Sequence, residues 1–385
     1  MSPSGFITRY RQLRTPRASV VPYHPSSCVG ALKDVRPAMR GGEISMSRIR
    51  FAQWGVQHGH ASGKALALRA NPATELVGVF EADDEVRARA KADPAYSDIH
   101  WYAHPDEFLG DASIPAVAVE GRNTESLEMA RHSVSARKHV WWDKPAGDDW
   151  AGFKWIAEQA EAHELLLQMG YMYRYHDGFN LISHLAREGA LGDVFSVRAH
   201  MSTNIPVTAW PSNNTREAIS SHLGGMLFDL GGHMLDQVLW VMRDERPARV
   251  TSFLRNDTTP EVPAFSDNTL GVFEFGKAFA TVDIAAMEPS PMARRFEVYG
   301  THGSVTMEPF EPADSLRLVL TRAWGSYSPG IQHVPLAGLG RQRLYELEVE
   351  GLIPVLRGEQ RADRPLTHEV VVQETLLRGT GHLRS

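Results

Sequence analysis

The sequence predicts an α/β protein, with an N-terminal doubly wound parallel sheet followed by a C-terminal α+β domain built on a large, open, mainly antiparallel sheet. Three observations predict it. Between residues 48 and 172, short apolar runs alternate with helical stretches, the pattern of βαβ units. Those runs are continuously apolar, as expected of strands covered on both faces. After residue 172 the strand candidates follow one another through short turns such as "FGKA" and "GTHG", which read as hairpins.

In chain order, the first half offers strands at "RIRFAQW" (48–54), "ELVGVF" (75–80), "IHWY" (99–102), "AVAVE" (116–120), "KHVWW" (138–142) and "LLLQMGY" (165–171). Helical patterns lie between them at 61–70, 83–92, 124–136 and 149–163. The second half opens with a helix at 178–192 that ends in glycine, followed by a long strand, "DVFSVRAHMST". A loop rich in Asn, Ser and Pro (203–220) leads into a helix at 224–243. Strand candidates follow at 247–255, 269–275, 278–286, 295–299 and 303–308, and helical regions at 341–357 and 367–378 close the chain. The domains expected are 47–172 and 173–385. A ligand belongs in the crevice at the carboxyl ends of the parallel strands.

Composition narrows the function classes. No run approaches the roughly 18 apolar residues of a membrane span. The net charge of −6, with both signs interspersed and no basic block, argues against nucleic acid or an anionic membrane as main partner. Cys28 is the single cysteine, which excludes a disulfide framework and a cysteine-rich zinc site and fits a reducing, cytoplasmic setting. Residues 1–46 differ from the rest. They are rich in Arg, Ser and Pro, and Asp34 and Glu43 are their only acids. They read as a disordered leader or a start placed before the natural one at Met46, with an organelle transit peptide as the rival reading; residues 1–45 are expected to be dispensable.

Four features carry chemistry. The first is "WGVQHGHASGKAL", directly after the first strand. Gly55 stands where a tight strand-to-helix turn needs unusual backbone angles, and the helix beginning at Ala61 aims its free amides at the turn, a place suited to a pyrophosphate. In a G-x-G-x-x-G pattern the second and third glycines would be Gln57 and His60, so the turn departs from the usual form, with Gly59 and Gly63 able to restore room. The second is Glu81, at the tip of the second strand, where a carboxylate can accept adenosine ribose hydroxyls. Its neighbours Asp83 and Asp84 would repel a 2′-phosphate, which favours NAD over NADP. The third is "VWWDKPAG", with Lys144 at the carboxyl end of a strand and Pro145 fixing the backbone after it. The fourth is "GGMLFDLGGHMLD", in which Asp229, His233 and Asp236 share one helical face. Gly231 and Gly232 inside that helix each cost about 1 kcal/mol relative to alanine, so something must approach the backbone there. Each feature also has a plainer reading: a surface acid, a solvated lysine, a buried histidine satisfied by a carboxylate. A metal held by Asp229, His233, His58 and His60 is a further rival.

Taken together and in this order, the features resemble the glucose–fructose oxidoreductase / inositol dehydrogenase / MocA-like family of NAD(P)-dependent oxidoreductases. "VWWDKPAG" resembles the family's Glu-Lys-Pro motif with Asp143 in place of Glu, and "LFDLGGHMLD" its Asp-x-Gly-x-x-His helix. The passage "GYMYRYHDGFNLISHLAREGALGDVFSVRA" and the turn "VYGTHGSVTME" are similar to family segments. "EGRNTESLEMA" keeps Asn123 but has Ser126 where many members have histidine. The resemblance implies a Rossmann domain that binds NAD through Gly55, Gln57, His58, Gly59, His60, Glu81, Asn123, Lys144 and Pro145. It implies catalytic Lys144 and His233, with Asp229 shaping the substrate site and orienting His233 or gripping a hydroxyl. Tyr171, Arg174 and His176 are expected nearby, as substrate contacts. The expected reaction is hydride transfer between nicotinamide and a secondary alcohol of a sugar, cyclitol or related polyol, without a metal. Homodimers or homotetramers are expected through the open sheet. An NAD-dependent glycosidase that oxidises transiently and a non-catalytic nucleotide-binding regulator remain alternatives. The loop 203–220, with Trp210, Asn213, Asn214 and Arg216, is expected to carry substrate identity.

Overall fold

Five short strands, Ile49–Trp54 (β1), Thr74–Phe80 (β2), Ala116–Val119 (β3), His139–Trp142 (β4) and Leu167–Met169 (β5), form one parallel sheet in the order β2-β1-β3-β4-β5. Every residue of β3 is buried, as its unbroken apolar run requires of a central strand. The computed structural model describes residues 47–205 and 215–384. The leader expected over 1–46 and the loop residues Trp210, Asn213 and Asn214 lie outside them.

The helices of this half are Ala61–Ala70 (α1), Asp84–Ala90 (α2), the single turn Asp106–Leu109 (α3), Ser126–Ser135 (α4) and Trp150–Ala162 (α5). The expected strand at 99–102 is not one. It touches the sheet at a single parallel bridge between Trp101 and Val79, with Val79 bonded to His100 O and by Tyr102 N, both at 2.9 Å. The Tyr102 ring fills the space over Gly78, where a Cβ would sit 2.5 Å from it.

Asp177–Arg187 (α6) leads into Val194–His200 (β6), then the single turn Arg216–Ile219 (α7) and the long helix Gly225–Val241 (α8). Seven further strands follow: Arg249–Arg255 (β7), Asn268–Glu274 (β8), Phe279–Ala285 (β9), Arg295–Gly300 (β10), Gly303–Met307 (β11), Ser315–Leu320 (β12) and Gly330–Pro335 (β13). With β6 they make an eight-stranded sheet, β13-β12-β11-β10-β6-β9-β8-β7. Only the β6–β9 pair is parallel; the remaining pairs are antiparallel. The sequence reading contained no strand for β12 or β13.

α8 and α6 cover one face of this sheet, and the opposite face leaves Phe195, Phe253 and Phe279 exposed. The closing helices Arg341–Leu356 (α9) and Leu366–Gly379 (α10) return to the first half. α9 packs on α1, and α10 packs on α5 and α8. The Rossmann crevice thus opens toward α8, the end of β6 and the start of α9. No helix among the described residues is long and apolar enough to cross a membrane.

Candidate active site

The turn after β1 is built on contact between backbones. Gly55 has φ +87°, and a Cβ there would stand 2.5 Å from the Gly121 backbone, so no other residue fits. Gln57 replaces the usual glycine and puts its side chain to use. Its amide donates to Glu81 at 3.1 Å, and Arg122 donates to its carbonyl oxygen at 2.6 Å. The Glu81 carboxylate also accepts from Val56 N at 3.1 Å and Asp83 N at 3.0 Å. It therefore ties the tip of β2 to the turn, and a ribose would share it with those donors. Asp83 is largely spent on structure, since one oxygen caps α2 by accepting from Glu85 N and Val86 N. Asp84 pairs with Arg87. Asn123 is buried beside this loop.

The start of α1 fits a dinucleotide. Its N-cap, His60, makes no side-chain cap bond, so the first amides have no side-chain acceptor. Beneath it lies a buried charge cluster that sequence reasoning did not find. Asp143 is its hub. One carboxylate oxygen stands 3.2 Å from His58 Nδ1, 3.0 Å from His60 Nδ1 and 2.9 Å from Lys64 Nζ, and the other accepts from Lys144 N at 2.8 Å. Lys64 also reaches Glu120 at 2.9 Å and lies 4.2 Å over the Trp141 ring. Burial opposes charge on Asp143, yet His58, His60 and Lys64 hold it well below the usual carboxylate range. Burial pushes Glu120 well above that range, against the pull of Lys64. Burial lowers His60 to about 3 despite Asp143, so its imidazole is neutral. His58, His60 and Asp143 bring three ligand atoms within 4.8 Å of one another. The Lys64 ammonium already neutralises their shared carboxylate, and a metal ion there would face it at close range.

Lys144 and His233 come together across the crevice. They line one cavity of about 260 Å³ with His58, His60, Tyr173, Asp229, Arg294 and Arg341, and with an apolar patch of Met172, Met201, Ile205 and Leu230. Lys144 Nζ donates to Asp229 O at 2.9 Å and stands 3.6 Å from its carboxylate. Asp229 thus faces Lys144, and no hydrogen bond joins it to His233. His233 Nδ1 is buried without a hydrogen-bond partner. Burial first, then the charge of Lys144 and the neighbouring His60, hold His233 well below the ordinary histidine value. Gly232 has its reason in Tyr171, whose ring would come within 3.0 Å of a Cβ there and whose centroid lies 5.9 Å from that of His233. A larger surface hollow of about 800 Å³ lies near Asp193, Arg243 and Lys277 and is lined by none of the expected catalytic, cofactor or substrate residues.

Three expected substrate contacts, Tyr171, Arg174 and His176, are not cavity residues. Arg174 is buried in a bidentate pair with Glu369, at 2.6 and 2.7 Å, and also binds Asp236 at 2.7 Å. Asp236 is fixed further by His368 at 2.8 Å. Both Arg174 and Asp236 therefore serve to join α8 and α10 to the segment after β5. His176 caps α6 through Gly178 N at 3.0 Å. Of the loop residues, Arg216 is described; it pairs with Glu261 at 2.7 Å, outside the cavity. Lys64 and Glu120 lie inside two of the quoted motifs but had no role assigned there, and Arg294 and Arg341 belong to none of the motifs. Lys64 did leave one signal, since it lies on the stripe of α1 shared by Ala61, Ala65 and Leu68.

Residues 49–171 match the model of an oxidoreductase family with an NAD-binding Rossmann fold, and residues 179–306 match the GFO/IDH/MocA C-terminal domain. The chain belongs to the GFO/IDH/MocA family. Among its relatives, glucose-6-phosphate 3-dehydrogenase of Bacillus subtilis is 25% identical over 222 residues, covering 57% of this chain and 61% of the relative. Inositol 2-dehydrogenase 1 of Saccharopolyspora erythraea is 26% identical over 236 residues, covering 60% and 66%. The chain thus spans less than two thirds of the length of these relatives. A levoglucosan dehydrogenase solved with NADH and levoglucosan has the same fold, with a TM-score of 0.73 at 16% identity over 87% of this chain and 98% of that one. An oxidoreductase domain protein from Kribbella flavida gives 0.74 at 19% identity, covering 88% and 97%.

Proposed function

We propose that this protein is an NAD-dependent dehydrogenase acting on a secondary alcohol of a sugar, cyclitol or related polyol, or catalysing the reverse reduction. The observation that carries the reading is the meeting of Lys144, from the parallel sheet, with His233, from α8, in one cavity. The Gly55–His60 turn, the uncapped start of α1, Glu81, Asn123, Lys144 and Pro145 would hold NAD, whose nicotinamide supplies the hydride acceptor.

His233 acts as the general base. Its imidazole is kept neutral by burial, and from the cavity wall it takes the hydroxyl proton. Lys144 donates to the substrate oxygen and stabilises its developing negative charge. Asp229 holds Lys144 in place and offers its remaining acceptor capacity to a second substrate hydroxyl. The apolar patch around Met172, Met201 and Leu230 suits the C–H face of a ring.

Purified protein incubated with NAD and a polyol panel should produce NADH absorbance at 340 nm with at least one member. Release of sugar from a glycoside without net NADH would assign the transient-oxidation reading instead. Tight NAD binding with no turnover of any member would leave a nucleotide-binding regulator. The open sheet face bearing Phe195, Phe253 and Phe279 is read as the seat of a second copy.

A further inference from the structure

The charges lining the cavity do not cancel. Lys144 is matched by Asp229. The two remaining cations, Arg294 and Arg341, share a single carboxylate, Glu311. Glu311 is also the acceptor for Tyr173 Oη at 2.5 Å, and Arg341 gives it two N–H groups at 2.9 and 2.7 Å. With four donors on it, Glu311 has no capacity left to satisfy the other N–H groups of the two guanidiniums. The next acid, Glu288, is held by His200 at 2.9 Å and Ala293 N at 2.8 Å. The histidines of the cavity add no compensating negative charge. Counting direct ion pairs, the Arg294–Glu311–Arg341 group therefore carries one positive charge more than its carboxylate answers.

The backbone at Arg294 points the same way. Its φ is +37°, in the left-handed region that side chains with a Cβ adopt at a cost. The conformation places a buried arginine in the cavity wall just before β10. Arg341 is half exposed and is the first residue of α9.

We propose that the substrate carries an anionic group, a carboxylate or a phosphate, and that Arg294 and Arg341 receive it. This rests on the dehydrogenase reading of the same cavity and narrows its substrate to acidic or phosphorylated sugars and polyols. Arginine is suited to the task, because its planar fork matches both groups through paired N–H bonds. The cofactor's own phosphates are the alternative anion. Arg294 is the better discriminator, because its contacts, Ser202 O and Glu311, lie among the second-sheet elements, whereas the residue next to Arg341, Gln342, bonds to Gly63 of α1.

The test is calorimetric titration of the NAD-loaded protein with inorganic phosphate and with matched pairs, glucose 6-phosphate against glucose and galacturonate against galactose. The same pairs are then assayed for NADH formation. Phosphate should bind saturably, and the charged member of at least one pair should bind at least about tenfold more tightly than its neutral partner. Arg294→Gln should bring that ratio to within about threefold, and Arg294→Lys should retain part of it, while NAD affinity shifts by less than about threefold. Circular dichroism and melting of both variants establish that they fold; if Arg294→Gln does not, the same ratio is read from Arg341→Gln.

Absence of saturable anion binding, or a ratio unchanged in the variants, overturns the proposal. A loss of NAD affinity as large as the loss of anion affinity also overturns it, because the arginine then reads the cofactor. Anion selectivity without NADH from any substrate leaves the subsite standing and overturns the dehydrogenase reading instead.

Discussion

Lys64→Met should destabilise the protein by about 3–5 kcal/mol near neutral pH, the usual cost of removing one member of a buried ion pair. The estimate starts from the geometry. Lys64 is fully buried, with Nζ 2.9 Å from both Asp143 and Glu120. At that separation the attraction to one charge is about 6 kcal/mol for an effective dielectric constant of about 20, before desolvation is subtracted. Burial leaves Glu120 protonated, so the charge stranded by the substitution is that of Asp143. His60, neutral in the wild type, stands 3.0 Å from the same carboxylate and can replace the lost cation by taking up a proton. The folded variant then binds a proton that the wild type does not. Its histidine pKa is raised, so the added stability is present below that pKa and fades as pH rises through it. The deficit should therefore be largest near about pH 8 and smaller near about pH 5.5, by roughly 1.4 kcal/mol for each unit by which the raised histidine pKa exceeds about 5.5. Urea unfolding followed by tryptophan fluorescence reads this directly, because Trp141 lies against Lys64. A loss below about 1 kcal/mol at the higher pH, or a deficit that does not shrink on acidification, would refute the charge assignment.

Lys144→Ala should lower turnover about 100-fold or more with NAD affinity nearly intact, and His233→Ala should lower it by roughly 10²–10⁴, both measured by NADH formation and calorimetry. Because burial and Lys144 hold His233 below the ordinary histidine value, the base stays deprotonated through neutrality. The acid limb of kcat/KM should therefore lie well below about pH 6.5, and a wild-type limb at neutrality would contradict the assignment. NAD should bind more tightly than NADP in parallel titrations. Glu81→Ala should narrow that gap and, by stranding three donors, cost roughly 1–3 kcal/mol in urea unfolding. Phe253→Glu and Phe279→Glu should shift the mass measured by light scattering toward the monomer, and an unchanged mass would remove the open sheet face as the interface.

The elements most legible in the sequence are those whose pattern is local. The helix expected at 61–70 is α1, and the expected 341–357 is α9 to within one residue, because periodicity and flanking glycines mark them. β12 carries a local signal, with Leu316, Leu318 and Leu320 buried in alternation, whereas β13 was hidden because the sheet, not the segment, makes it a strand. β13 is an edge with a largely exposed face and no apolar alternation. The site divides in the same way. Lys144, Asp229 and His233 sit in motifs and meet as read. Arg174 was misread because its partner Glu369 is 195 residues away, and nothing near Arg174 announces it. The Asp143 cluster and the Arg294–Glu311–Arg341 group likewise consist of single charged residues that only the folded chain assembles.

The distance between Arg174 and Glu369 also has a consequence for how the chain is made. α10 is synthesised well after Arg174, and it supplies both the carboxylate for that arginine and the Gln373 amide that donates to Gly147 O at 2.8 Å. Translation at about 5–20 residues per second leaves roughly 10–40 s between the emergence of the arginine and that of its partner. Throughout that interval the segment just after the nucleotide half holds a guanidinium that lacks the carboxylate it is buried against in the folded chain. α10 thus acts as a completion signal, and a product that stops before it is marked by an unburied charge at Arg174.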